Sequence, residues 1–126
     1  MKQLKGKIYW VSDTFEYIGK GVNNSKDIYL HYAARISNIV IDDAMIKFDV
    51  EPHNVEGGSY SYIVNLLNTH ENRFKGDIKD GETNELNGNV TCELFQNSKK
   101  YMIQGLWHEE HNDFENIFSF WAVIEK

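Results

Sequence analysis

The run His108-Glu109-Glu110-His111, with Asp113 close behind, is where side chains that bind metal ions lie next to one another in this sequence. A zincin-type zinc site needs the order His-Glu-x-x-His on a helix, so that both imidazoles share one face. The order here is different, and the surrounding residues predict a strand followed by a turn. The run is therefore typical of a solvated acidic hairpin tip, and we expect neither a metal nor a cofactor.

Other groups that could support catalysis are isolated. Cys92 falls on the apolar side of an alternating run, whereas a reactive thiolate needs an electropositive, partly exposed setting. His31 and Arg35 share one face of another run with Asp27 nearby, a pattern more typical of satisfied or exposed strand side chains than of a polar relay. The loop around Asp80-Gly81 lacks the preceding oxygen ligands of an EF-hand. We expect no pair of carboxylates on the apolar face, and so binding rather than catalysis.

Composition narrows the class of protein further. The chain has 126 residues, 41% of them hydrophobic, with seven Phe, seven Tyr and three Trp, which predicts one folded domain over residues 1–126. A net charge of −6 opposes binding to a phosphate backbone, so we expect no nucleic-acid partner. A single cysteine and the lack of long apolar runs predict a cytoplasmic protein with no membrane partner.

Apolar residues recur at every second position, which predicts strands with one buried face. The clearest run is 44–50, between a turn at Asp42-Asp43 and Pro52, which we expect to end the strand before a loop over residues 51–58. Runs at 74–78 and 86–94 predict a hairpin. Further strands are predicted at 8–11, 27–41 (one long or two short), 59–67, 101–107 and 117–123, with a loop over 13–26.

About eight short strands in hairpin order predict an all-β fold, a closed up-and-down antiparallel barrel, with a two-sheet sandwich as the alternative. Closure favours the barrel because it removes exposed sheet edges. In length and strand pattern the chain resembles the calycin-like small barrels, lipocalins and streptavidin, which implies binding of a small molecule in the barrel mouth. Lipocalins resemble one another through a Gly-x-Trp motif on the first strand. In the first predicted strand here, Gly6 and Trp10 have a different spacing, and the Gly-x-Trp that does occur, Gly105-Leu106-Trp107, lies near the C-terminus. The resemblance is therefore one of architecture and carries over no site residue.

The alternation predicts which side chains face the barrel interior. Beside the aliphatic residues, the predicted inward aromatic residues are Trp10, Tyr32, Phe48, Tyr60, Tyr62, Phe74, Tyr101, Trp107 and Trp121. Gly76, Gly88 and Gly105 share this face, either because the strands coil tightly there or because they leave volume for a bound molecule. The residues that we expect to bind a ligand are Tyr32, Tyr60, Tyr62, Tyr101, Gly105 and Trp107.

The last predicted strand, 117–123, is apolar on both faces. Counting every second residue from Ile117 places Trp121 and Val123 on the side that faces the barrel interior. An apolar outer patch then follows, formed by Tyr9, Met102, Leu106, Phe118, Phe120 and Ile124. Such a patch is typical of an interface with a protein partner or a second copy, unless residues 15–18 cover it. Two functions remain: non-enzymatic binding of a small, partly apolar ligand in the barrel mouth, or an acidic protein-interaction module of the inhibitor or immunity type.

Overall fold

The computed structural model describes residues 3–12, 30–55, 58–111 and 114–126, and these form a closed antiparallel barrel in up-and-down order. The predicted barrel is confirmed, and the sandwich alternative is wrong. The strands are β1 (Lys5–Ser12), β2 (Leu30–Ile41), β3 (Met45–Val55), β4 (Gly58–His70), β5 (Arg73–Asp80), β6 (Leu86–Gln96), β7 (Lys100–His111) and β8 (Phe114–Glu125). In this part of the chain, no helix has the length and apolar character needed to cross a membrane.

The up-and-down order gives the barrel two distinct ends. β1 begins and β8 finishes at the end that we call the terminal end, where Lys5 lies opposite Glu125. The other end, which we call the distal end, is where β1, β3, β5 and β7 finish. Three connecting turns are closed by Asp42, Asp80 and Asn97, whose side-chain oxygens accept backbone N–H groups two and three residues further along at 2.8–2.9 Å. Short polar side chains of this kind stabilise tight turns.

The barrel interior is filled by side chains. Trp107, Phe48 and Phe120 are the largest of the fully buried residues, and aliphatic residues from all eight strands surround them. An eight-stranded barrel is just wide enough for side chains to fill it. Among the described residues, no polar or charged residue is buried with them. The middle of the barrel is thus a packed hydrophobic core.

The predicted outward placement of Phe118, Phe120 and Ile124 is wrong, because these side chains are 7%, 1% and 0% exposed and belong to the core. The inward placement of Trp121 and Val123 is wrong by the same single-residue shift. Alternation cannot choose a face for β8, since both of its faces are apolar. Pairing with β1 makes the choice, because Phe120 lies directly opposite the buried Trp10.

Two strand boundaries also differ from expectation. Pro52 does not end β3, which continues to Val55, and β4 begins at Gly58, so the described part of the expected loop over 51–58 is strand. The pairing of β3 with β4 shifts register between Val50 and His53, and such an irregularity accommodates a residue that lacks an N–H. Likewise, β7 extends to His111, so Glu109 and Glu110 pair with β8 within a strand instead of forming a loop. The predicted loop over 13–26, including 15–18, lies outside the described residues.

Gly105 and Gly76 show why glycine occurs inside these strands. A Cβ atom at Gly105 would collide with the carbonyl oxygen of Thr91 and would lie 2.6 Å from the Cα of Cys92. A Cβ at Gly76 would collide in the same way with the carbonyl oxygen of Asn65. At both positions the neighbouring backbone occupies the space of a side chain. These glycines therefore let adjacent strands approach closely, which favours the coiling interpretation over the ligand-volume one.

Replacing Gly105 by alanine tests this close approach. We expect Gly105→Ala to lower the free energy of unfolding by about 1–3 kcal/mol, because the added methyl group meets backbone that cannot move aside. Gly58→Ala is the matched control, since the atoms nearest to its Cβ would be those of the exposed Tyr60 side chain, at 3.3 Å. Urea unfolding of the two variants gives the comparison. Equal losses in both would contradict the close-approach explanation.

Candidate functional site

Four rings from four strands meet at the distal end of the barrel, and we call them the distal ring cluster: Trp10 (β1), His53 (β3), Tyr62 (β4) and Trp107 (β7). The Trp10 ring stacks on His53 with centroids 5.2 Å apart and an interplanar angle of 22°. Trp107 meets Trp10 and Tyr62 edge to face, at 5.3 and 5.4 Å. Below them Trp107 packs on Phe120 at 5.8 Å, so the cluster caps the hydrophobic core.

Glu109 supplies a carboxylate beside this cluster. It accepts a hydrogen bond from Trp107 Nε1–H at 2.9 Å and another from the Tyr62 hydroxyl. Burial is the main cause that raises the pKa of Tyr62 above its ordinary value, and the charge of Glu109 raises it further. Tyr62 therefore stays protonated and remains a donor to Glu109. Asp80, directly opposite Tyr62 on β5, adds a second negative charge nearby.

Trp10 has a buried donor that its neighbours leave unsatisfied. Its side chain is 3% exposed, and Nε1–H has no hydrogen-bond partner in the described structure. A buried donor without an acceptor costs about 1–3 kcal/mol, and native proteins rarely leave one unexplained. Trp107 donates its indole N–H to Glu109, whereas the indole N–H of Trp10 meets no acceptor in the part of the chain that the structure describes. An acceptor atom arriving at the distal ring cluster would complete the missing bond.

The structure brings only part of the predicted ligand site together. Tyr62 and Trp107 belong to the distal ring cluster, and Tyr60 lies at its rim, 43% exposed and opposite His53 on the paired strand. Tyr101 lies at the terminal end instead, with Lys126 Nζ 4.4 Å from its ring centroid.

The other two predicted ligand residues contribute no described side chain to the cluster. Gly105 lies in the wall of the barrel, where backbone fills the space of a side chain. The backbone of Tyr32 pairs with Trp10, while its side chain lies outside the described ones.

The inward carboxylates were missed by the sequence interpretation. The expectation that no two carboxylates share the inner face is wrong, since Glu109 and Asp80 both lie on the side of the sheet that faces Tyr62. A signal was present, because Asp80 continues the alternating run through Ile78, and Glu109 continues the one through Trp107. His53 could not be found in this way. It follows the register shift beyond Val50, which breaks the period of two.

The outer wall carries a second feature, which we call the outer strip: Tyr9, Phe95, Met102, Leu106, Ile117 and Trp121. Tyr9 and Trp121 are direct cross-strand partners whose rings stack at 5.7 Å. Met102 and Leu106 are 38% and 47% exposed. Three residues of the predicted outer patch, Tyr9, Met102 and Leu106, therefore lie on the outside of the barrel. On β8, the outer positions belong to the exposed Ile117 and the half-buried Trp121, and not to the predicted Phe118, Phe120 and Ile124.

His108 lies on the outer wall between two carboxylates. Its Nε2 is 3.2 Å from Glu115 and 3.9 Å from Glu110, and Asn89 approaches its Nδ1 at 3.4 Å. Among the described side chains, no group of three His, Cys, Asp or Glu residues is arranged to hold a metal ion. The side chain of His111 and the whole of Asp113 lie outside the described part of the structure.

The comparisons with known proteins point to no function, so a functional proposal has to be based on the geometry of the described structure. No protein-family model, curated protein or solved structure matches this chain. Two features of the described structure then call for a functional explanation. One is the distal ring cluster with its unsatisfied indole, and the other is the outer strip.

Cys92 offers a test of how tightly the wall between β6 and β7 is packed. Burial raises the pKa of its thiol from 9.0 to about 12, with a smaller contribution from Glu93. We expect iodoacetamide at pH 8 to alkylate the native protein far more slowly than the urea-unfolded chain.

The same shift has a defined effect on stability. Because folding raises the pKa of the Cys92 thiol, the contribution of this thiol to the free energy of unfolding is complete below pH 9 and is lost as the pH rises toward 12. Cys92→Ala should therefore lose less stability than the wild type between pH 8 and pH 10.5, as measured by urea unfolding. Equal alkylation of native and unfolded protein would contradict the buried thiol.

Proposed function

We propose that this chain is a binding protein that holds a small, partly apolar ligand across the distal ring cluster. The observation that carries this proposal is the buried Trp10 Nε1–H, which has no acceptor among the described residues. Aromatic faces and a few placed polar groups are typical of small-molecule sites. Here the rings of Trp10 and His53 offer apolar contact, and Tyr60 and Glu109 supply polar groups at the rim.

The ligand would lie across the rim of the barrel rather than deep inside it. Trp107 and Phe120 are 0% and 1% exposed and fill the interior directly below the cluster. The side chains that a molecule meets on arrival are the partly exposed His53, Tyr60 and Glu109. This arrangement supports a shallow site in which the ligand provides the acceptor for Trp10.

The three tryptophans provide the readout for a direct test. We expect native mass spectrometry of freshly purified protein to detect a bound small molecule, and its removal to shift the indole N–H signal of Trp10 in a ¹H–¹⁵N spectrum. The signal of Trp121, on the outer wall, should stay in place and serves as an internal control. Trp10→Phe should weaken rebinding by about fivefold, the equivalent of one hydrogen bond of about 1 kcal/mol, whereas Trp121→Phe should not.

If the protein purifies without a small molecule, and no compound in a metabolite extract shifts the Trp10 signal, the proposal is wrong.

The outer strip favours a second candidate function, an acidic protein-interaction module. Aromatic residues and methionine are enriched at protein interfaces, and the Tyr9–Trp121 stack next to exposed Leu106 and Met102 has this composition. The net charge of −6 would favour a basic partner. A second copy of the chain is the other possible occupant, and it is tested first because the test needs no identified partner. Binding at the outer strip and binding at the distal ring cluster use different faces and can be tested separately.

Leu106→Glu tests the outer strip without disturbing the core, because Leu106 is 47% exposed. If the strip binds a second copy, light scattering should show association of the wild type at high concentration and a monomer for the variant. Leu67→Glu, at an even more exposed position on β4, is the matched control and should associate like the wild type. A wild type that stays monomeric throughout would contradict self-association.

A further inference from the structure

We propose that the outer wall carries a second binding site, a groove for a small organic anion with a phosphate or carboxylate group on an apolar body. The groove lies toward the terminal end of the barrel, and we call it the basic groove after its four cations: Lys5, Lys7, Arg35 and Lys100. It is separate from the distal ring cluster, and its evidence does not involve the Trp10 indole.

Two of these cations lie directly opposite each other on paired strands. Lys7 of β1 is the cross-strand partner of Arg35 of β2, and both side chains are exposed on the outer face. Like charges in this position destabilise a sheet, because the repulsion between them is not offset by packing. An anion bound between the two side chains would turn this repulsion into attraction.

Two other places on the barrel show how the chain offsets such charges. Arg73 of β5, the other arginine of the chain, lies opposite Glu93 of β6. Glu110 and Glu115 form a like-charged cross-strand pair, and His108 Nε2 lies 3.9 and 3.2 Å from their carboxylates. The Lys7–Arg35 pair has no such partner among the described residues.

The carboxylates that line the groove do not match its cations. Glu125 forms an ion pair with Lys100 at 3.3 Å, whereas Glu51 and the other three cations take part in none of the ion pairs of the described structure. The turns at the terminal end all lie within the described residues, and residues 1–2, Met and Lys, add no carboxylate there. Three cations therefore remain against one carboxylate.

These local charges outweigh the net charge of the chain for a ligand in the groove. The chain as a whole carries −6, but exposed charges further apart than about 8 Å are largely screened at physiological ionic strength. A bound anion therefore responds mainly to the cations that it touches. Arg35 adds geometric selectivity, because the N–H groups of a guanidinium form a fork that matches two oxygens of a carboxylate or phosphate.

The size and lining of the groove indicate that the anion has an organic body. The groove has a volume of about 800 Å³, and small-molecule sites typically have about 300–1,000 Å³. Leu4, Tyr9 and Val123 line it beside the cations, so an alkyl or aromatic group would find apolar contact there. A simple inorganic anion would use the cations and leave this apolar lining without a partner.

Three probes separate the two halves of such a ligand. Phenyl phosphate carries a ring and an anionic group, inorganic phosphate carries the anion alone, and phenol carries the ring alone. We expect phenyl phosphate to shift the side-chain Nε–H signal of Arg35 in a ¹H–¹⁵N spectrum and to bind at least about fivefold more tightly than either of the other two probes. The Nε–H signal of Arg73 should stay in place and serves as an internal control.

Charge variants locate the effect. Lys7→Gln and Arg73→Gln each remove one exposed positive charge from the outer wall. We expect Lys7→Gln to weaken phenyl phosphate binding by about fivefold, because one of the two cations beside the anion is lost. Arg73→Gln is the matched control and should bind phenyl phosphate like the wild type.

Several results would overturn the inference. The site is absent if none of the probes moves the Arg35 signal, or if Lys7→Gln and Arg73→Gln weaken binding equally. Phenol that binds as tightly as phenyl phosphate would rule out an anion site, and inorganic phosphate that does so would rule out the organic class. The proposed function is tested apart from these results, through the Trp10 signal at the distal ring cluster.

Discussion

Closure of the sheet between β1 and β8 is the constraint on which the rest of this structure depends. It fixes which face of the doubly apolar β8 enters the core, because Phe120 must lie opposite Trp10 and Ala122 opposite Ile8. The same pairing puts Trp121 on the outer wall against Tyr9. Both the ring cluster at the distal end and the outer strip are therefore consequences of one strand pairing.

The distal end differs from the remainder of the barrel in how its polar groups are satisfied. Trp107 and Tyr62 share Glu109 as an acceptor, so two buried donors are paired with one carboxylate. The indole N–H of Trp10 has no acceptor within the described ranges, although Trp10 stacks on His53 and is almost fully buried. A buried donor without an acceptor destabilises a protein, so native structures rarely keep one unless another group completes the hydrogen bond. That contrast is the physical basis of the functional proposal.

Most of the fold could be predicted from the sequence, because alternation in β3 to β7 reports directly on which side chains are buried. Ile46, Phe48 and Val50 show this on β3, and Ile103 and Trp107 show it on β7. Alternation failed on β8, where both faces are apolar and only long-range pairing decides. The candidate site was harder: Trp107 and Tyr62 followed from the period, whereas His53 depends on a register shift that local sequence does not encode.

The most direct measurement is a crystal structure of the protein purified from cells without removal of bound small molecules. We expect a non-protein molecule at the distal ring cluster with an acceptor atom about 3 Å from Trp10 Nε1. An indole N–H that instead donates to a side chain of the protein itself, with no molecule bound at the cluster, would contradict the proposed site.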